Sequence, residues 1–275
     1  MFPFEMYARP LCEGISTFQA RTGNAIVVYT AVTGHYDKIH PVYIPTPNTD
    51  YICLTTDPSL QAEGWTIFRI GFDYLDPRRL AKVFKVLPHL FYPAYTYSIW
   101  VDANIAIKTD LSPLRERYLK KTANGIALFR HAKRNCAYRE ATECLRWGKD
   151  CGATIRAQMA CYKLCGYPDN HGLIAGRVIL REHHVEDVKC LMAAWWQEIE
   201  AFSVRDQLSF NYCAWMLDKP FAYIPSDDFA RYFSVRPHKR HLFHGTSARE
   251  RLRARLGGAC LTLATLRDRL VRPSR

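Results

Sequence analysis

The chain has 275 residues, 48% of them hydrophobic, which is enough for one large domain or two small ones. No apolar run is long enough to span a membrane, there is no repeat or low-complexity tract, and Met1-Phe2-Pro3-Phe4-Glu5-Met6 lacks the basic and apolar regions of a secretory signal. The net charge of +12 gathers at the end, where from Arg231 onward twelve Lys or Arg meet only Glu250 and Asp268; a duplex-binding face spread over the whole protein is excluded, and no nucleic-acid partner is expected.

Ala25-Ile26-Val27-Val28-Tyr29-Thr30 is continuous, apolar and β-branched, the pattern of a buried strand, and a small-residue turn, Ala31-Val32-Thr33-Gly34, follows. Residues 51–56 form a second strand, closed by the polar Asp57-Pro58, and residues 65–70 a third. Asp76 caps a helix that Pro77 opens. That helix carries Leu80, Val83, Phe84 and Leu87 on one stripe and ends at Pro88 or just beyond. Lys82, Lys85 and His89 can share another face, as cations for a phosphate or as a solvated surface. Strands follow at 97–101 and 125–129, and a polar helix at 134–158. Gly172 to Leu180 reads as a strand bent at Gly176, residues 185–202 and 206–217 as helices, and 221–225 as a last short strand. Ten cysteines are irregularly spaced: Cys161, Cys165 and His171 offer a zinc site, against free thiols in a reducing cytoplasm. The alternation of strands and helices predicts an α/β fold with a mainly parallel central sheet flanked by helices, binding its ligand beyond the carboxyl ends of the strands.

The turns after three strands then line one crevice. Thr30, Thr33 and Gly34 follow the first strand, and Thr56 and Asp57 the second. Asp102 and Asn104 end Tyr97-Ser98-Ile99-Trp100-Val101-Asp102-Ala103-Asn104; two apart, they point the same way on an extended segment. Hard oxygen ligands in that position suit Mg²⁺ or Mn²⁺, which take few protein carboxylates plus substrate phosphates; a turn bonded to its own backbone is the alternative. The first turn is too poor in glycine for a dinucleotide fingerprint or a P-loop. Asp206 and Gln207 project into the crevice, or else Ser203 or Asp206 simply caps a helix. His241 or His244 is a candidate third metal ligand, against a phosphate-facing or plain surface loop.

These segments resemble a family. Tyr29 to Asp37, Tyr97 to Asn104, His131 to Ala141 and Arg205 to Phe210 occur in the same order in the DUF616 family, glycosyltransferases related to plant mucilage and turgor-regulation proteins and distantly similar to family 8 glycosyltransferases. The resemblance spans about residues 24–245. It implies a GT-A-like single domain, a UDP- or GDP-sugar donor, a Mn²⁺ or Mg²⁺ ion and a saccharide or lipid-linked glycan acceptor. Carried over, Asp102 and Asn104 match the Asp-x-Asp position, with an amide in place of the second acid. Asp206 and Gln207 match the segment touching the transferred sugar, and His131, Arg134 and Glu140 fall where sugar contacts are expected. His244-Gly245 is similar to a histidine block, though Thr246-Ser247-Ala248-Arg249 lacks its lysine.

The function expected is metal-assisted transfer with Lys85 or an arginine of the tail assisting, retaining in outcome by the family 8 likeness. A metal-dependent hydrolase using Asp102 and a non-catalytic glycan-binding module are the alternatives. The boundaries expected are an N-terminal extension at 1–23, a catalytic domain at 24–245 and a basic helical tail at 246–275. Leu263, Leu266 and Leu270 share one face of that tail, so it either docks on the domain or makes a cytoplasmic protein peripheral on an anionic membrane.

Overall fold

The computed structural model describes residues 3–34, 38–71, 76–120 and 124–236. Among them the chain runs α1 (Pro3–Thr22), β1 (Ile26–Val32), β2 (Thr49–Thr55), β3 (Thr66–Arg69), α2 (Pro77–Val86), α3 (Pro88–Phe91), β4 (Tyr97–Val101) and β5 (Ile105–Ile107). It continues through α4 (Ser112–Arg115), which runs into a wider turn at Glu116–Lys120, then β6 (Ile126–Arg130), α5 (Ala137–Arg146), α6 (Gly152–Leu164), β7 (Ile174–Arg181) and α7 (Glu186–Ala201). A 3₁₀ turn (Asp206–Leu208) leads to α8 (Phe210–Met216), β8 (Ala222–Ile224), a second 3₁₀ turn, α9 (Phe229–Tyr232) and β9 (Phe233–Val235).

Seven strands form one sheet in the order β3-β2-β1-β4-β7-β6-β8, and β5 pairs with β9 in a small second sheet. All seven run parallel except β7, which is antiparallel to both β4 and β6. The mainly parallel α/β architecture read from the sequence is therefore the one adopted. Alternate residues of each strand go to opposite faces, as a period of two requires. Val27, Tyr29, Trp100 and Ile179 pack under α1, α2, α7 and α8, while Val28, Ile99, Val101 and Leu180 pack against α4, β5 and β9.

Three local expectations change. Residues 1–23 were expected as a mere extension; α1 instead packs on the domain, with Ile15 fully buried in its main core. The helix at 134–158 is two, because Gly148 takes a left-handed turn (φ +56°) that ends α5. Pro88 forces Leu87 out of helical geometry, so α2 stops at Val86 and His89 lies on α3, on no common face with Lys82 and Lys85. The bend at Gly176 is present: the β6–β7 register jumps from Leu128↔Ile179 to Phe129↔Ala175. The proposed tail at 246–275 lies outside the described residues, as do His241 and His244. No disulfide joins the described cysteines, and no cluster of three metal-binding side chains occurs among the described residues, so Cys161, Cys165 and His171 form no zinc site.

Candidate active site

The direction of strand addition reverses between β1 and β4, which places a crevice beyond their carboxyl ends. Asp102 is the first residue past β4, its N–H donating to the Arg177 carbonyl of β7 at 2.8 Å. Above it, α2 buries Leu80, Val83 and Phe84 on the sheet. The same turns that seat this stripe carry Lys82 and Lys85 to the mouth of β4.

Lys85 is fully buried and bridges two acids, its Nζ 3.2 Å from Asp102 Oδ1 and 2.6 Å from Asp206 Oδ2. Lys82 reaches the same Asp206 oxygen at 2.9 Å. Asp206 is buried at the start of the 3₁₀ turn, where its Oδ1 accepts the Gln207 N–H at 3.0 Å and Trp195 Nε1 donates to its carbonyl at 3.0 Å. Burial alone would raise its carboxyl pKa, but Lys82, Lys85 and Arg205 outweigh burial and hold it well below the usual carboxylate range. Burial lowers both lysines; Asp102 and Asp206 overcome this for Lys85, which ends above its ordinary value, whereas Lys82 ends below. Gly176 makes room: a Cβ there would lie 3.3 Å from Asp206 Oδ2 and 3.4 Å from Lys85 Nζ.

The Asp102 side chain remains 31% exposed. Trp100 Nε1 and Lys85 both donate to its Oδ1, at 2.7 and 3.2 Å, and Oδ2 has no hydrogen-bond partner among the described residues. So the acid is salt-linked on one side and open on the other. Beside the turn, Arg134 Nε meets Glu140 Oε2 at 2.5 Å and Lys149 lies 3.8 Å from the same carboxylate. His131 Nδ1 accepts the N–H groups of Lys133 and Arg134, while burial and then Arg134 push its pKa down. Gln207 donates to the Ile174 carbonyl at 3.1 Å. Of the residues singled out in the sequence, the structure brings Lys85, Asp102, Asp206 and Gln207 together.

The residues expected beneath a nucleotide are less open. Thr30 sits inside β1, buried, its hydroxyl unpartnered among the described residues. Thr33 is also buried and donates to the Pro77 carbonyl at 2.6 Å. Thr33 thereby ties the first turn to the start of α2, and neither hydroxyl is exposed. Gly34, at φ +64°, gives its N–H to Thr56 Oγ1, and Asp57 accepts from Ser59. Asn104 is buried, and its Nδ2 donates to the Arg236 carbonyl while its own carbonyl accepts the Arg236 N–H. It thereby ties the chain beside Asp102 only a few residues before His241.

Sequence reasoning missed a brace below the site. Tyr29 donates to the Lys85 carbonyl at 3.0 Å and accepts from the fully buried Arg181; its ring packs edge-on against Trp100 at 5.3 Å, the indole that holds Asp102. No acid pairs with Arg181 among the described residues. The available signal was an arginine ending an apolar strand.

The open carboxylate oxygen of Asp102 is a ligand of the kind a divalent cation takes alongside phosphate and water. Lys82, its side chain 20% exposed, suits the same anionic partner, with Lys85 adding charge from behind.

The sequence matches the family model described as "TOD1/MUCI70, glycosyltransferase-like domain" over residues 16–231. It is 34% identical over 146 residues to the Arabidopsis thaliana "Probable hexosyltransferase MUCI70", covering 50% of this chain and 25% of that protein. It is 28% identical over 225 residues to the Arabidopsis thaliana "Alkaline ceramidase TOD1", covering 68% of this chain and 47% of that one. The chain thus spans between a quarter and a half of the curated relatives it matches. Solved structures of similar outline include the WbbM bifunctional glycosyltransferase in its apo form (10% identity, 69% of this chain and 37% of that chain, TM-score 0.41). Mouse xyloside xylosyltransferase 1, also apo, is another (10% identity, 75% and 86%, TM-score 0.43).

Proposed function

The chain belongs to the TOD1/MUCI70 glycosyltransferase-like family, and we propose that it moves a sugar from a UDP- or GDP-linked donor to a saccharide or lipid-linked glycan acceptor, on a GT-A-like fold. The observation that carries this reading is the cluster of Lys82, Lys85, Asp206 and Asp102 at the switch point of the sheet. A departing nucleoside diphosphate develops negative charge, and Lys85, fixed between two acids, supplies a cation that needs no reorganisation as the bond breaks.

Asp206 is so strongly held in its ionised form that it is a poor proton acceptor. Its part is to fix the two lysines and to face, as a standing negative charge, the oxocarbenium-like sugar centre. A retaining course, in which the acceptor attacks from the leaving group's side without a base on the far face, suits such an acid. Gln207 orients the sugar from the same turn. Asp102 and Asn104, with His241 or His244, would hold Mn²⁺ or Mg²⁺, which when bound neutralises the leaving diphosphate as a Lewis acid. The similarity to a protein named as a ceramidase favours a second reading, hydrolysis at the Asp102 site.

Thermal shift against a panel of UDP- and GDP-sugars, with and without Mn²⁺, joined to an assay for released nucleoside diphosphate, separates the readings. Transfer requires stabilisation by a nucleotide sugar and release of diphosphate, and Asp102→Ala must abolish release while leaving the melting cooperative. Stabilisation by metal alone, with cleavage of an N-acylated sphingoid base, gives the hydrolase; no response to either leaves a non-catalytic glycan-binding module.

A further inference from the structure

An apolar trough lies between α5 and α6. Tyr138, Ala141 and Leu145 line it from one helix, Ile155 and Met159 from the other, each set at helical spacing. Its volume is about 340 Å³. Ala141 and Ile155 also pack on Leu208, so the floor of the trough is the back of the turn that carries Asp206 and Gln207.

The rims are cationic. Arg139, Thr142 and Arg146 form the outer column of α5, and Arg156, Ala160 and Lys163 that of α6; all six are exposed. The acids of the same hairpin do not offset them. Glu140 and Asp150 turn inward to Arg134 and to Ser203; Glu143, held by Trp147 Nε1 at 3.2 Å, offsets only Arg146, at 3.9 Å, and leaves Arg139, Arg156 and Lys163. Asp169 alone stands near the Tyr138 end, beside Cys136. The helices are antiparallel, Lys163 Nζ lying 5.3 Å from the Tyr138 ring. Trp147, just past α5, and Leu164, the last residue of α6, therefore mark opposite ends of the trough, 57% and 76% exposed.

We propose that the α5–α6 face docks the protein on an anionic lipid bilayer. Trp147 and Leu164 enter the interface, the trough takes apolar chain, and the rim cations, of which Arg156 and Lys163 line the trough itself, reach lipid phosphates. Charge complementarity selects this occupant, because the face is apolar along its centre and positive along both edges. The claim concerns binding and stands independently of the proposed transfer.

Flotation of the full chain with phosphatidylcholine vesicles, and with an equal mixture of phosphatidylcholine and phosphatidylglycerol, tests it. The chain should float with the mixed vesicles in low salt and not with the neutral ones. Arg156→Glu with Lys163→Glu should lower partitioning by about thirtyfold or more in low salt, and Trp147→Ser with Leu164→Ser should lower it at any salt, with unchanged melting temperatures because all four side chains are exposed. Arg267→Glu with Arg269→Glu in the basic tail is the comparison. Flotation lost only in the tail variant, or equal in all forms, overturns the proposal. So does failure to float joined to rim-dependent retention on an acidic polysaccharide, which would give the face to a soluble polyanion.

Discussion

Lys82 and Lys85 share one carboxylate oxygen, at 2.9 and 2.6 Å. Their removal is therefore not equivalent to removal of the acid. Asp206→Asn leaves Lys82 without its acid and the buried Lys85 with Asp102 alone, and should cost about 3–5 kcal/mol of stability. Lys82→Met leaves Asp206 paired with Lys85 and should cost about 1 kcal/mol. Urea denaturation of both variants checks this, and equal losses would contradict the shared carboxylate. Tyr29→Phe removes the donor to the Lys85 carbonyl and strands Arg181, at a cost of about 1–3 kcal/mol. Arg181→Met, which deletes the unpaired cation itself, should cost less in the same measurement. Asp102 was legible in the sequence because an acid closes an apolar strand, and Trp100 two residues earlier shares its side. The Tyr29–Arg181 contact was not, since it joins residues 152 apart and neither belongs to a local pattern.

Among the elements, those with strong periodicity were legible and those decided by one backbone position were not. β1, β4 and α7 follow from continuous apolar or helical stripes. The end of α2 at Val86 depends on Pro88 constraining Leu87, and the gap between α5 and α6 on the left-handed Gly148. α1 escaped notice because its apolar stripe is interrupted by Pro10. The β7 bulge matters most for the site, because it brings Gly176 against the Lys85–Asp206 pair. Gly176→Ala should push the Asp206 carboxylate, and with it the paired lysine, aside by a few tenths of an ångström. We expect nucleoside diphosphate release to fall about tenfold, as small misplacements at reacting centres do, with the urea midpoint nearly unchanged. A full loss of cooperative unfolding would instead make Gly176 a folding requirement of β7.

For the whole molecule, the acid limit of stability is set away from the site. His183 is fully buried, its Nε2 3.0 Å from the Tyr92 carbonyl oxygen and its Nδ1 unpartnered among the described residues, the arrangement of a neutral ring donating from Nε2. Burial, then His184, pushes its pKa down to about 3; burial, then Arg181 and Lys189, pushes His89 down to about 4. In the unfolded chain both sit near about 6.5. With the folded values lower, the unfolded state takes up protons first, so stability is complete above about pH 6.5 and declines as the pH falls toward the folded values. For a fully buried imidazole the complete loss is about 4–5 kcal/mol, a large share of a typical domain's total of about 5–15 kcal/mol. Asp206 acts in the same direction but later, since its contribution begins to fall only below about pH 4, the unfolded carboxylate value. The urea midpoint should therefore drop between about pH 6.5 and pH 4 while the lysine–aspartate cluster is still ionised. His183→Gln, which keeps a donor for the Tyr92 carbonyl and does not titrate, should flatten that slope by close to one proton. An unchanged slope in this variant would move the acid-sensitive group off His183.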